Sequence, residues 1–131
     1  MDKIELIEFE EFKNQFIVKA VQDEQRIGHA VYHVFEDTLY LTWIETDEAY
    51  QGQGVGSSIM DFVATKACDT GLKLAVIVVD EFTLMDFYLK WYAKRVKATP
   101  EAMPQVEKKF ESMIKHGESP SLLLTPQDLA Y

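Results

Sequence analysis

The chain has 131 residues, 47% hydrophobic and 27% charged, with a formal net charge of −9 at pH 7, the proportions of one globular domain with a single core. That acidity disfavours nucleic acid and anionic membrane surfaces as partners, and no apolar run approaches the roughly 20 residues of a membrane span. The acidic N-terminus does not read as a signal peptide, and the lone Cys68 can form no internal disulfide, so a reduced cytoplasmic protein is expected.

The elements follow in order. Ile4 to Phe9 reads as a first strand and Phe16 to Val21 as a second, with only Glu10 to Gln15 between them. Asp23-Glu24-Gln25 turns the chain into a third strand, Arg26 to Phe35, and Glu36-Asp37 into a fourth, Leu39 to Glu45. Next comes the glycine-rich run Tyr50-Gln51-Gly52-Gln53-Gly54-Val55-Gly56-Ser57-Ser58. A helix is expected from Ser57 to about Asp69, with Ile59, Phe62, Val63 and Ala67 at helical spacing and Gly71 past its end.

The nearly unbroken apolar run Leu72 to Val79, closed by Asp80, reads as a strand buried on both faces and parallel to the fourth. A second helix, about Thr83 to Arg95, sets Leu84, Phe87, Tyr88, Trp91 and Tyr92 along one side. Pro100 and Pro104 interrupt the chain before a third helix, Gln105 to His116 (within 104–117), whose face carries Val106, Phe110, Met113 and Ile114. Gly117 and Pro120 end it, and residues 121–125 form a last short strand. Cys68, Met103 and His116 have no metal-ligand spacing, so no metal is expected.

The glycine run carries the chemistry. A loop of this kind at a helix start turns several backbone N–H groups toward one point, where the helix dipole favours an anion, usually phosphate. It is not a Walker loop, because Ser57 follows Gly56 where lysine is required. It is not the dinucleotide fingerprint either, which fails at Ser57 when started from Gly52 and at Ile59 when started from Gly54.

What fits is Q/R-x-x-G-x-G/A, as Gln51-Gly52-Gln53-Gly54-Val55-Gly56. With the flanking order strand, loop, helix, strand, helix, the chain resembles the GNAT N-acetyltransferases, most strongly over residues 16–92. Phe87-Tyr88 match the family's closing pattern, whereas Glu81, Leu84 and Trp91-Tyr92 stand where asparagine, alanine and Gly-Phe are usual.

The resemblance implies a single mixed α/β domain over residues 1–131: a mostly antiparallel sheet flanked by helices, with a splayed parallel pair at about residues 39–46 and 72–79. It also implies acetyl-CoA as co-substrate and a primary amine, of a small molecule or a protein, as acceptor. The pantetheine arm would run along Ile44, Glu45 and Thr46. The pyrophosphate would sit on Gln51, Gly52, Gln53, Gly54, Val55, Gly56 and Ser57, with Glu81 nearby. Tyr88 occupies the position of the general acid that protonates the departing thiolate.

At the two positions where relatives often carry a Glu or His base, this chain has Tyr40 and Thr42. His33, Glu45, Asp47 and Asp80 are the replacements at hand, and Trp43, Tyr40, Tyr32 and His33 are candidates for an aromatic floor near the acceptor. Typical members also insert two helices between their first and second strands, for which this chain has no room. The apolar face of the third helix is expected to pack on the sheet, or else to form a dimer contact or a lid. The alternatives to an acetyltransferase are a CoA-binding module without catalysis and a protein whose glycine loop is architectural.

Overall fold

The structure, a computed structural model, describes residues 3–77, 85–97, 99–116 and 121–129. The expected end of the fifth strand (Val78, Val79, Asp80), Glu81, Thr83, Leu84, Gly117 and Pro120 lie outside these residues, as do the side chains of Phe110 and Ile114.

Six strands form one sheet in chain order: β1 (Glu5–Phe12), β2 (Gln15–Gln22), β3 (Gln25–Phe35), β4 (Thr38–Thr46), β5 (Lys73–Ile77) and β6 (Ser121–Leu124). All neighbours pair antiparallel except β4 and β5, which run parallel. The helices are α1 (Val55–Asp69), α2 (Met85–Arg95), α3 (Met103–Lys115) and a short α4 (Pro126–Leu129) that sequence patterning did not anticipate. The fold is the expected mixed sheet with one parallel pair.

Strands β1 and β2 are longer than the apolar pattern indicated. They meet at a turn through Lys13 and Asn14, where Asn14 adopts φ 63°, a conformation asparagine tolerates better than most residues.

Every strand residue of the buried cluster comes from one face of the sheet. Val18, Ala30, Tyr32, Leu39, Leu41, Leu74 and Val76 are at most 1% exposed and pack with Ile59, Met60, Val63 and Ala67 of α1. Burial of such a side chain contributes about 1.5–3 kcal/mol, so this layer carries the stability of the fold. Trp91 of α2 donates from Nε1 to Asp61 Oδ1 at 2.9 Å, and Arg95 donates to the carbonyl of Leu129 at 2.8 Å, so α2 and α4 join α1 on that face. Met103 and Val106 of α3 pack against the same cluster. Tyr32 also belongs to this side, stacked on Phe16 with its hydroxyl donating to Glu8. It therefore cannot share a floor with Tyr40 and Trp43, which point the other way.

Two buried phenols give the fold an alkaline limit. Burial pushes the Tyr88 hydroxyl up to about 12; burial, and then the hydrogen bond and charge of Glu8, raise Tyr32 further still. In the unfolded chain both ionise near pH 10. The unfolded state loses its protons first, so this stability is complete below about pH 10 and falls as pH rises beyond it. Melting temperature should hold steady up to about pH 10 and then drop, and Tyr88→Phe should make that drop shallower.

Candidate functional site

Strand β4 is the organising element. Its register against β3 steps from Val31↔Trp43 to Tyr32↔Leu41, leaving Thr42 as one extra residue, a β-bulge. Thr42 uses its hydroxyl to donate to the carbonyl of Val31 at 3.3 Å. The bulge switches faces: Leu39 and Leu41 point into the core, but beyond it Ile44 and Thr46 take that side while Trp43 and Glu45 take the other. Among the described residues the pairing of β4 with β5 runs from Thr38↔Lys73 to Leu41↔Val76, next to the bulge.

Beyond that point β4 continues through Trp43 to Thr46, paired with β3 on one side. The N–H of Asp47 donates to the carbonyl of Ile27 in β3 at 2.8 Å. Backbone groups alternate sides along a strand, so those of Ile44 and Thr46 turn away from β3.

The chain then makes a single turn of 3₁₀ helix, Glu48–Tyr50, and a tight loop into α1. Gly52 and Gly54 hold φ 83° and 82°, values that L-residues with a side chain rarely adopt. Gly54 is the N-cap of α1; no side chain caps the helix, and its first turn contains no acidic residue. The first N–H groups of a helix have no intrahelical partner, so this terminus presents uncapped donors with the positive end of the dipole behind them. The donor set fits an anionic diphosphate.

This segment of β4, the loop and the helix start converge on a cavity of about 610 Å³, lined by Ile44, Glu45, Thr46, Tyr50, Gln51, Gly52, Gly54, Val55, Gly56, Ser57 and Phe87. Gln53, by contrast, turns its amide back to the carbonyl of Ala49 at 3.4 Å and is not among the lining residues. Gln51 donates to the carbonyl of Thr46 at 3.3 Å, fastening the loop to β4. Tyr50 and Phe87 were not expected here from sequence. Phe87 sits in an aromatic-rich helix pattern that reads equally well as core, and its ring lies 3.0 Å from where a Cβ on Gly56 would stand.

A second cavity of about 420 Å³ shares Ser57 and Phe87 with the first and is lined also by Asp61, Lys90, Trp91, Lys94, Arg95 and Lys97. Four cationic side chains around one hollow contrast with the net charge of −9.

The remaining expected residues fall elsewhere. Tyr88 lies in the core at 2% exposure and lines neither cavity among the described residues. Tyr40 and His33 are direct partners on the far face of the sheet. Glu45 belongs to both regions: it lines the cavity, and on the far face its carboxylate lies 3.9 Å from His29 Nε2. Among the described residues no cluster of His, Cys, Asp and Glu could hold a metal ion, and no helix is long and apolar enough to cross a membrane.

A model of the acetyltransferase (GNAT) family matches residues 2–93. No curated protein sequence matches the chain. Among solved structures it is similar to the ribosomal-protein-S18-alanine N-acetyltransferase from Escherichia coli, with 20% identity and a TM-score of 0.55 over 61% of this chain and 53% of that one. An aminoglycoside acetyltransferase from an uncultured soil metagenomic sample, in complex with sisomicin, gives 17% identity and a TM-score of 0.57 over 62% and 59%. A GNAT family acetyltransferase from Elizabethkingia anophelis with acetyl-CoA bound gives 22% and 0.54 over 61% and 54%. The chain thus spans little more than half the length of these structures, and at such identities the likeness is one of fold. The family match rests on most of the sequence, and the parallel pair β4 and β5, with a glycine loop and helix between them, is its structural counterpart: the chain belongs to the GNAT family of acetyltransferases.

Proposed function

We propose that the chain is an N-acetyltransferase that binds acetyl-CoA in the cavity between β4 and α1 and passes the acetyl group to a primary amine of a small molecule or protein. The observation that carries this reading is the convergence of the Ile44–Thr46 segment of β4, the uncapped start of α1 and the Gly52–Gly56 loop on one cavity. The whole chain acts as one domain in this reading, in keeping with its single core cluster.

Acetyl-CoA supplies a thioester whose carbonyl the amine attacks directly. The backbone of Ile44 and Thr46 receives the amide-bearing arm as an added strand would be received, and an N–H near Ile44–Glu45 stabilises the oxyanion. The loop amides hold the diphosphate. The cationic second cavity, reached past Ser57 and Phe87, suits the further phosphate that CoA carries. Tyr88 is the proposed proton donor to the leaving thiolate; with its hydroxyl pushed up to about 12, it keeps its proton throughout the working range.

The test is thiol release from acetyl-CoA with a panel of amines. Wild type should turn over at least one amine, and Tyr88→Phe should bind acetyl-CoA with unchanged affinity while losing tenfold or more in turnover, given the roughly 10²–10⁴ that general acid catalysis contributes. A full-rate Tyr88→Phe would remove this residue from the mechanism.

A second reading, CoA binding without catalysis, is favoured by two observations: Tyr88 is buried, and the Thr42 hydroxyl is committed to the carbonyl of Val31. Binding without thiol release from any amine would select it.

A further inference from the structure

All the packing described above lies on one face of the sheet. Among the described residues the other face exposes large apolar side chains, a composition unlike that of a solvated surface. The large apolar side chains that stand exposed among the described residues are Ile7 (48%), Phe9 (38%), Phe12 (65%), Phe35 (64%), Trp43 (45%) and Leu123 (63%). The strand registers place every one of them on this face. Phe9, Ile17, Val31 and Trp43 are successive direct partners across four strands. Phe12, Gln15, His33, Tyr40, Ala75 and Leu123 are successive partners across all six. Ile7 and Phe35 extend these rows along β1 and β3 by strand alternation. Monomeric proteins rarely expose a contiguous apolar patch of this extent.

We propose that this face is the interface of a homodimer, two copies packing sheet to sheet. Its size suits that role. Six strands about 4.8 Å apart and about eight residues deep at about 3.3 Å each make a face of roughly 750 Å², close to the about 800 Å² that each partner contributes to a standard interface.

Its charge suits a second copy in particular. A protein of net charge −9 repels itself except through a locally neutral surface. Among side chains whose register is set, the carboxylates on this face are Glu5 and Glu45; Lys19, Arg26, Lys73, His29 and His33 stand with them, Lys73 being paired with Asp37 at 3.2 Å and His29 lying beside Glu45. The acidic excess lies elsewhere. The turn at Lys13–Asn14 leaves nothing between β1 and β2 to cover the face from within the chain. Because Glu45 borders both this face and the cavity, the second copy would also wall one side of the cavity mouth.

Sedimentation of the full chain at micromolar to tens of micromolar concentration tests this. The expected particle is twice the 15.1 kDa protomer. Phe9→Lys/Trp43→Lys should weaken the dimer by more than about tenfold, as loss of central aromatic anchors does, with an unchanged far-ultraviolet circular dichroism spectrum. Glu107→Lys, the same kind of charge change on an exposed residue of α3, should leave the dimer intact. Should the double variant fail to fold, Phe12→Lys at the strand end gives the same readout. A wild-type monomer over that range, or a dimer that survives the face substitutions in a folded protein, overturns the proposal.

Discussion

Gly54→Val should yield a folded protein that melts a few degrees lower than wild type and gains no stability from acetyl-CoA. Two separate costs lead to this. The first falls on the fold: Gly54 holds φ 82° as the N-cap of α1, and a residue with a side chain pays about 1–2 kcal/mol in that conformation. Among the described residues no atom beyond its chain neighbours lies within 4 Å of where its Cβ would stand, so backbone strain dominates that cost. The second falls on the ligand. Gly54 lines the cavity, and the open space its missing side chain leaves is where, in the proposed binding mode, a diphosphate would approach the amides.

Wild type at about 100 times its dissociation constant should gain roughly 2.7 kcal/mol from the ligand, and the variant none. Thermal melts with and without acetyl-CoA read both quantities at once. A variant that keeps the full ligand shift would show that the anion does not sit on this loop. Gly56 differs in kind: its φ is ordinary, and its Cβ would meet the tip of the Phe87 ring at 3.0 Å, a side chain with room to yield.

Gly28→Ala should cost about 1–3 kcal/mol of stability and weaken acetyl-CoA binding as well, although Gly28 lines neither cavity. Its Cβ would stand 2.9 Å from the backbone carbonyl of Glu45, 3.2 Å from Val55 and 3.4 Å from Ile59. The carbonyl belongs to β4 and the two side chains to α1, so the methyl would wedge apart the two elements that frame the cavity. Val55 opens α1, and both it and Glu45 line the cavity. Chemical denaturation and a binding isotherm measure the two effects. Wild-type stability in the variant would mean that the seam between β3, β4 and α1 has slack, and would detach this glycine from the site.

The sequence made the order of elements other than α4 legible because they announced themselves by a period or by punctuation: the three glycines after β4, the helical spacing in α1, the β-branched run of β5. The glycine loop was legible for a further reason, since its backbone conformation demands the residue type. Three features were hidden. Leu39, Leu41 and Trp43 alternate as though one straight strand pointed them all inward, and only the bulge at Thr42 sends Trp43 outward. A bulge has no residue signature here; it arises from the competition between two pairings. The extent of β1 was hidden because an edge strand with an exposed face shows no clean alternation, so Glu10, Glu11 and Phe12 read as loop. The partition of aromatic residues between faces was hidden with it: Tyr32 and Tyr40 both sit in strands, and the register alone decides that they never meet.

The hollow lined by Lys90, Lys94, Arg95 and Lys97 bears on events before any contact is made. An acidic body with four of its thirteen Lys and Arg residues gathered at one spot has an uneven charge distribution, and an approaching polyanion exerts a torque on it. Such a molecule rotates toward its ligand during encounter, so productive collisions exceed what random orientation allows. Background salt shortens the reach of that torque to about 10 Å at 0.1 M ionic strength. Capture should therefore slow as salt rises, with the uncharged backbone contacts along β4 keeping their strength.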